Sequence, residues 1–266
     1  CMPILQPELL LYTSAGALVG FAVGLTGVGG GSLMTPILLL FGFPPQVAIG
    51  TDLLYAAITK SSGMVMHARR RNVDWNIMKR MALGSIPAAL LTATALWLLA
   101  SDADDYAPLL TTALGITLIV TALVLLFKHR LQAMVNHHPA GMLGAVQQRA
   151  GAWTVAMGIL LGIFVTLSSV GAGAIGTAVL LVLYPALAPI RVVGTDLAHA
   201  VPLTLIAGLG HLALGHVDLG LLVALLMGSL PAIYIGTHVG HRIPNHIMHP
   251  VLVTVLLALG IKYAVF

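Results

Sequence analysis

Six predominantly apolar stretches, at residues 47–67, 76–99, 107–127, 191–213, 218–240 and 247–266, decide what this 266-residue chain can become. Each has the roughly 20 residues that a helix needs to cross a hydrocarbon core. The runs are continuous rather than alternating, so they specify helices and not barrel strands. Hydrophobic residues make up 59% of the chain and charged residues 8%, against about 25% charged in soluble domains. A globule of this size cannot hide so much apolar surface from water. That excludes an ordinary soluble enzyme, a secreted disulfide scaffold, a disordered chain and a nucleic-acid binder. The one cysteine, Cys1, leaves no internal disulfide and no cysteine-based metal cluster. Cys1-Met2 reads as a trimmed start rather than a lipidated cysteine. No basic region precedes the first apolar run, as a cleavable signal peptide requires.

Two more apolar stretches, 9–43 and 152–187, are too long for one crossing and short for two. Small residues interrupt both. The first break reads Leu25-Thr26-Gly27-Val28-Gly29-Gly30-Gly31-Ser32, the second Leu167-Ser168-Ser169-Val170-Gly171-Ala172-Gly173-Ala174. Each stretch is expected to form two short helices meeting at a broken tip.

The two halves repeat one another. At a shift of 144, Gly50-Thr51-Asp52-Leu53 recurs as Gly194-Thr195-Asp196-Leu197 and His67 as His211. Val73-Asp74, Gly84-Ser85 and Pro87-Ala88 recur as Val217-Asp218, Gly228-Ser229 and Pro231-Ala232. A shift of 142 aligns Gly20 with Gly162, Leu25 with Leu167 and Thr35 with Thr177, with an insertion near Tyr184-Pro185. Chance likeness between apolar helices matches Leu and Val, not Gly, Pro, Asp and His in order. The expected organisation is a first repeat at 1–128, a cytoplasmic connecting loop at 129–150 and a second repeat at 151–266, together one transmembrane domain.

Basic residues orient the spans. Arg69, Arg70, Arg71, Lys79 and Arg80 mark one polar segment, and Lys128, Arg130 and Arg149 another. Asp102, Asp104 and Asp105 mark an acidic one. Placing the basic segments in the cytoplasm, and letting each broken stretch return to its own side, puts Arg191 and Arg242 inside and both termini outside. Only Lys262 then lies on the wrong side. The repeats are therefore expected to be inverted. The expected fold is an all-α polytopic membrane protein of two inverted repeats, each a glycine-broken helix hairpin plus three transmembrane helices. Matched broken helices of this kind belong to secondary transporters.

At these residues the chain resembles the TauE/SafE family of membrane permeases. The resemblance rests on Gly27, Gly29, Gly30 and Gly31 followed by Pro36, on Gly50-Thr51-Asp52, and on the echoes Gly171-Ala172-Gly173 and Gly194-Thr195-Asp196. It covers almost the whole chain. It implies a transporter of small sulfur-containing anions, sulfite or an organosulfonate, while composition sets the expected location as the inner (plasma) membrane. Ser168-Ser169-Val170 stands where a more glycine-rich copy is expected, so the two half-sites are chemically unequal.

Several residues are candidates for the chemistry. Unwound backbone in a membrane must be satisfied by protein, water or ligand, and a helix start offers free N–H groups and a positive dipole end. Gly27, Gly29, Gly30, Gly31, Ser32 and Thr35 at one break, and Ser168, Ser169, Gly171, Gly173 and Thr177 at the other, are candidates to hold an oxyanion. The alternative is close packing by small residues. Thr51-Asp52 and Thr195-Asp196 read as N-caps or, for Thr51 and Thr195, as substrate contacts, with Asp52 and Asp196 as proton carriers. Lys60, within an apolar run, either neutralises the anion, snorkels toward water or pairs with a carboxylate. His199, one turn past Asp196, is a proton relay or a packed core residue. His67 and His211 read as helix-end residues, and Asp74 and Asp218 as N-caps. His238, His241, His246 and His249 lie near the expected interface in no zinc-hydrolase spacing, so no metal and no cofactor is expected.

Export of the anion through alternating access is the leading expectation, with protons as possible co-substrates, lipid around the chain and a homodimer as a further partner state. An anion channel or a carrier of another small organic anion are the alternatives. An intramembrane enzyme is the weakest reading, because no Gly-x-Ser-x-Gly is present and no Ser pairs with a His at recognisable spacing.

Overall fold

The computed structural model describes residues 6–26, 31–99, 106–137, 147–240 and 245–265. Ten helices run through them: α1 (Gln6–Thr26), α2 (Gly31–Leu40), α3 (Pro45–Arg69), α4 (Trp75–Leu99), α5 (Ala107–His137), α6 (Ala150–Ser168), α7 (Ala174–Leu183), α8 (Pro189–Ala213), α9 (Leu219–Gly240) and α10 (Asn245–Val265). Among the described residues, six helices (α1, α4, α5, α6, α8 and α9) are long and apolar enough to cross a membrane. The 25 residues of α3 have the length of a span, but Asp52, Lys60 and several hydroxyls dilute its apolar character.

The broken stretches differ from expectation. Their first arms, α1 and α6, are 21 and 19 residues long, each a full crossing. Their second arms, α2 and α7, have 10 residues each, about 15 Å of helix. Each stretch is thus one full helix and one half-helix, not two short ones. The reason lies in Gly16, Gly20 and Gly24. They do not break α1, because their bare faces are filled by the backbone of α9 at Leu225, Ser229 and Ile233. Gly158 and Gly162 of α6 meet Met81 and Ser85 of α4 in the same way.

Those glycine contacts follow the repeat. Gly16 and Gly20 correspond to Gly158 and Gly162, and Leu225 and Ser229 to Met81 and Ser85. The first helix of each half packs along the fourth helix of the other, α1 on α9 and α6 on α4. Helices α5 and α10 pair with each other, as do α3 and α8. The halves interleave, and α3 and α8 occupy the middle. From Ala48 to Ala57 every residue of α3 is buried. The outer surface carries Leu90, Leu91, Trp97, Leu98, Leu160, Met227 and Ile235, all exposed, as befits a chain whose solvent is hydrocarbon.

Local chemistry sets the helix starts. Asp74 Oδ1 accepts the backbone N–H groups of Asn76 (3.1 Å) and Ile77 (3.2 Å), and Asp218 Oδ1 that of Leu221 (3.0 Å). These are N-caps of α4 and α9, as read from the sequence. Thr51-Asp52 and Thr195-Asp196 are not caps. Helices α3 and α8 start earlier, at Pro45 and Pro189, where proline's missing N–H is no loss. Both Thr-Asp pairs therefore lie inside their helices.

Candidate substrate site at the helix breaks

Each half-helix is fastened to a buried aspartate of the central pair. The Thr35 backbone N–H of α2 donates to Asp52 Oδ2 at 3.2 Å and its hydroxyl to the same oxygen at 2.5 Å. The Thr177 hydroxyl of α7 donates to Asp196 Oδ2 at 3.1 Å. Thr35 matches Thr177 and Asp52 matches Asp196, so one contact occurs in both halves. Asp52 is 0% exposed and Asp196 2%. Gly176 gives Asp196 its room, since a Cβ there would fall on the carboxylate.

Lys60 is a charged neighbour of both carboxylates. It follows Asp52 on α3 by about two turns and is 6% exposed, so it does not reach for water. Its Nζ donates to the Ala172 carbonyl of the second break at 3.4 Å. Both Asp52 and Asp196 are within its electrostatic reach.

The second break spans Ser169 to Gly173. Ser169 ends α6 in the left-handed region, with φ of 60°, and its N–H donates to the Val165 carbonyl at 2.8 Å. Gly171 and Gly173 have φ of 119° and 125°, which side chains disfavour. The Ser168 hydroxyl is spent locally, donating to the Phe164 carbonyl at 2.6 Å and accepting the Val170 N–H at 3.2 Å. Ser169 Oγ is buried and turned to the Asp52 carboxylate. In the first break, Gly27, Gly29 and Gly30 lie outside the described residues. Gly31 opens α2, and the side chain of Ser32 also lies outside the description.

The other candidates divide. The Thr51 hydroxyl accepts the Asp218 N–H at 3.2 Å, and that of Thr195 the Asp74 N–H at 2.8 Å. Each ties a central helix to the capped start of a helix in the other half, rather than turning to Lys60. His199 Nε2 meets Ser85 Oγ at 2.7 Å, fully buried. Sequence spacing concealed this pair, whose members are 114 residues apart. Its counterpart places Tyr55 beside Ser229. The only earlier sign of Ser85 was its place in the repeated Gly84-Ser85.

His211 and His67 explain the repeated glycine. Gly50 is backed by His211 Cβ and the His216 carbonyl, and Gly194 by His67 Nδ1 and the Asn72 carbonyl. His211 Nε2 lies 2.9 Å from the Thr166 carbonyl. His216, in the turn after α8, meets the Tyr106 hydroxyl through Nε2 at 2.8 Å. Burial pushes the His216 imidazole below its usual range and the Tyr106 phenol above its own. Sequence reasoning missed Tyr106 and Thr166. Among the described residues, no three His, Cys, Asp or Glu gather as metal ligands. His238 is exposed and bonds only the Tyr234 carbonyl, at 2.8 Å. The side chains of His241, His246 and His249 lie outside the description.

Comparison with known proteins meets this geometry. The family model for the sulfite exporter TauE/SafE matches residues 12–263. The chain belongs to the TauE/SafE family. It is 34% identical over 247 residues to the probable membrane transporter protein YjnA of Bacillus subtilis, covering 93% of this chain and 96% of that one. YdhB of the same organism, also a probable membrane transporter, is 30% identical over 87% of this chain and 90% of its own. A probable membrane transporter of Methanocaldococcus jannaschii is 26% identical over 91% and 92%. No solved structure matches. This TauE/SafE protein is a multi-pass membrane transporter and not an enzyme. Among the described residues no third group orients the His199 of the buried Ser85–His199 pair, whose Nδ1 has no partner.

Proposed function

We propose that this TauE/SafE protein is a secondary transporter of a small sulfur-containing anion, sulfite or an organosulfonate. The observation that carries the reading is the doubled contact around Lys60. In each half a threonine of a half-helix holds an aspartate of a central helix, and one ammonium feels the charge of both. An anion at the second break would meet Lys60, Ser169 and the positive end of α7. Two carboxylates repel that anion unless a proton joins one of them, so Asp52 and Asp196, with His199 nearby, couple protons to binding.

The halves, residues 1–128 and 151–266 joined by 129–150, act as inverted repeats. Reciprocal packing of α1 on α9 and α6 on α4 supports two near-equivalent arrangements, which alternating access needs. The transporter works in the inner (plasma) membrane with its arginine-rich segments in the cytoplasm. There the inside-negative potential aids exit of an anion by about 2.3 kcal/mol per charge per 100 mV, which favours export.

The test is flux of labelled sulfite in proteoliposomes. A transporter gives saturable uptake that is accelerated by unlabelled sulfite on the opposite side. Linear, unsaturated flux without that acceleration marks an anion channel and overturns alternating access. A response to other organic anions but not to sulfur anions overturns the substrate.

A further inference from the structure

We infer that a crevice between α5 and α6, at mid-membrane depth, is a binding site for one acyl chain of a membrane lipid, seated directly behind the second helix break. The crevice holds about 170 Å³, close to the roughly 150 Å³ of an engineered apolar cavity that stays dry and takes up benzene. Its lining is wholly apolar, so neither water nor an anion finds a partner in it. The Thr117 hydroxyl does not alter this, because it turns back on its own helix and donates to the Ala113 carbonyl at 2.6 Å. Left empty, the crevice would cost its walls the dispersion contacts that a hydrocarbon chain supplies.

Its opening and its depth select the occupant. Ile116 and Val120 of α5 and Leu160 and Phe164 of α6 form the rim and are exposed, continuous with the apolar outer surface. Thr117 and Leu161 form the floor, each 2% exposed. The rim residues stand near the middle of the spans Ala107–Phe127 and Ala150–Ser168, at the level of lipid tails and not of headgroups. The floor ties the site to the break. A Cβ on Gly171 would meet Thr117 Cγ2, Leu161 Cδ2 and Ile175 Cδ1, each at 3.6 Å, and all three residues line the crevice. The Ile175 N–H donates to the Gly171 carbonyl at 3.2 Å. One layer of side chains therefore separates the lipid tail from the backbone of the break, and the tail braces the start of α7 from behind. The site stands whichever anion is carried.

Photolabelling from within the bilayer tests this. The full-length protein is reconstituted in vesicles of phosphatidylethanolamine and phosphatidylglycerol that contain a phospholipid with a diazirine at mid-chain. After irradiation, the labelled residues are mapped by mass spectrometry. Thr117 and Leu161 are expected to be labelled along with exposed Leu160, although both are buried. Leu114 and Leu118, 0% exposed on the same helix as Thr117, are expected to stay unlabelled. In Val120→Trp the indole fills the mouth, so floor labelling is lost while exposed Leu90 and Leu91 of α4 keep theirs. Labelling of Leu160 and Leu90 with none at Thr117 or Leu161 in the wild type overturns the inference. So does labelling of Leu114 and Leu118 as strong as that of the floor, or floor labelling that survives in a folded Val120→Trp. The wild-type map decides the matter even if that variant does not fold.

Discussion

Replacing Gly228 by alanine pits helix propensity against helix packing, and the structure sets the sign. An alanine gains about 1 kcal/mol over glycine in a helix interior. At Gly228, however, the new Cβ would fall on the Thr13 carbonyl and press on the Ala17 nitrogen, both backbone atoms of α1. No rotamer change relieves such a contact, so α9 must move away from α1 as a whole. Overpacking costs about 1–3 kcal/mol, and a rigid backbone obstacle belongs at the upper end. The net effect is a loss of roughly 1–2 kcal/mol, or about 2–8 °C in apparent Tm for a chain of this size. Gly84, the repeat counterpart, would meet the Val155 carbonyl and the Ile159 nitrogen of α6, so Gly84→Ala should cost the same. Gly63 is the control, because its Cβ would meet only the free end of Leu197. Gly63→Ala should leave Tm unchanged or raise it. Thermal unfolding of the three purified variants in one detergent is the assay. If Gly228→Ala and Gly84→Ala raise Tm as Gly63→Ala does, the close-packed seams are wrong. If only one of the two lowers it, the reciprocal packing is wrong.

Thr35→Val removes the hydroxyl bond to buried Asp52; hydrogen bonds to charged groups are worth about 1.5–3 kcal/mol, so a fall in Tm is expected, and an unchanged Tm argues against the fastening of α2 to α3. Asp74→Ala removes two cap bonds and should cost about 1 kcal/mol, whereas Arg191→Ala removes an ion pair of 3.3 Å with an arginine that is 41% exposed and should cost less than that. A reversed order in unfolding experiments counts against the cap. His216 is held below its usual value by burial, so the unfolded chain binds the proton first. Its contribution to stability is present at neutral pH, falls as pH drops below about 6.5 and levels off under the lowered folded value. His216→Gln should flatten the acid side of the stability profile, and an unaltered slope contradicts the assignment.

Much of this architecture was legible because the residues that repeat are those that small-scale sterics and charge make costly to replace. Gly50 and Gly194 recur because a carbonyl and a histidine side chain occupy the space of a side chain. Thr35 and Thr177 recur because each holds a buried carboxylate. The helix starts were misread at Thr51-Asp52 because capping residues draw the eye. Pro45 and Pro189, which fit the first position of a helix, carried the better signal. The lengths of α1 and α6 were misread because glycine marks a break and a packing seam alike, and only the partner helix tells them apart. The Ser85–His199 and Tyr106–His216 pairs were illegible, since each joins residues more than a hundred positions apart.

Lys60 carries the buried positive charge beside both aspartates, so its replacement tests the anion site most directly. Sulfite counterflow in proteoliposomes should be compared for the wild type and Lys60→Met, with Tm establishing that the variant is folded. Saturable exchange in the wild type and its loss in a folded Lys60→Met is the predicted result. Undiminished exchange in the folded variant would contradict an anion site built on Lys60.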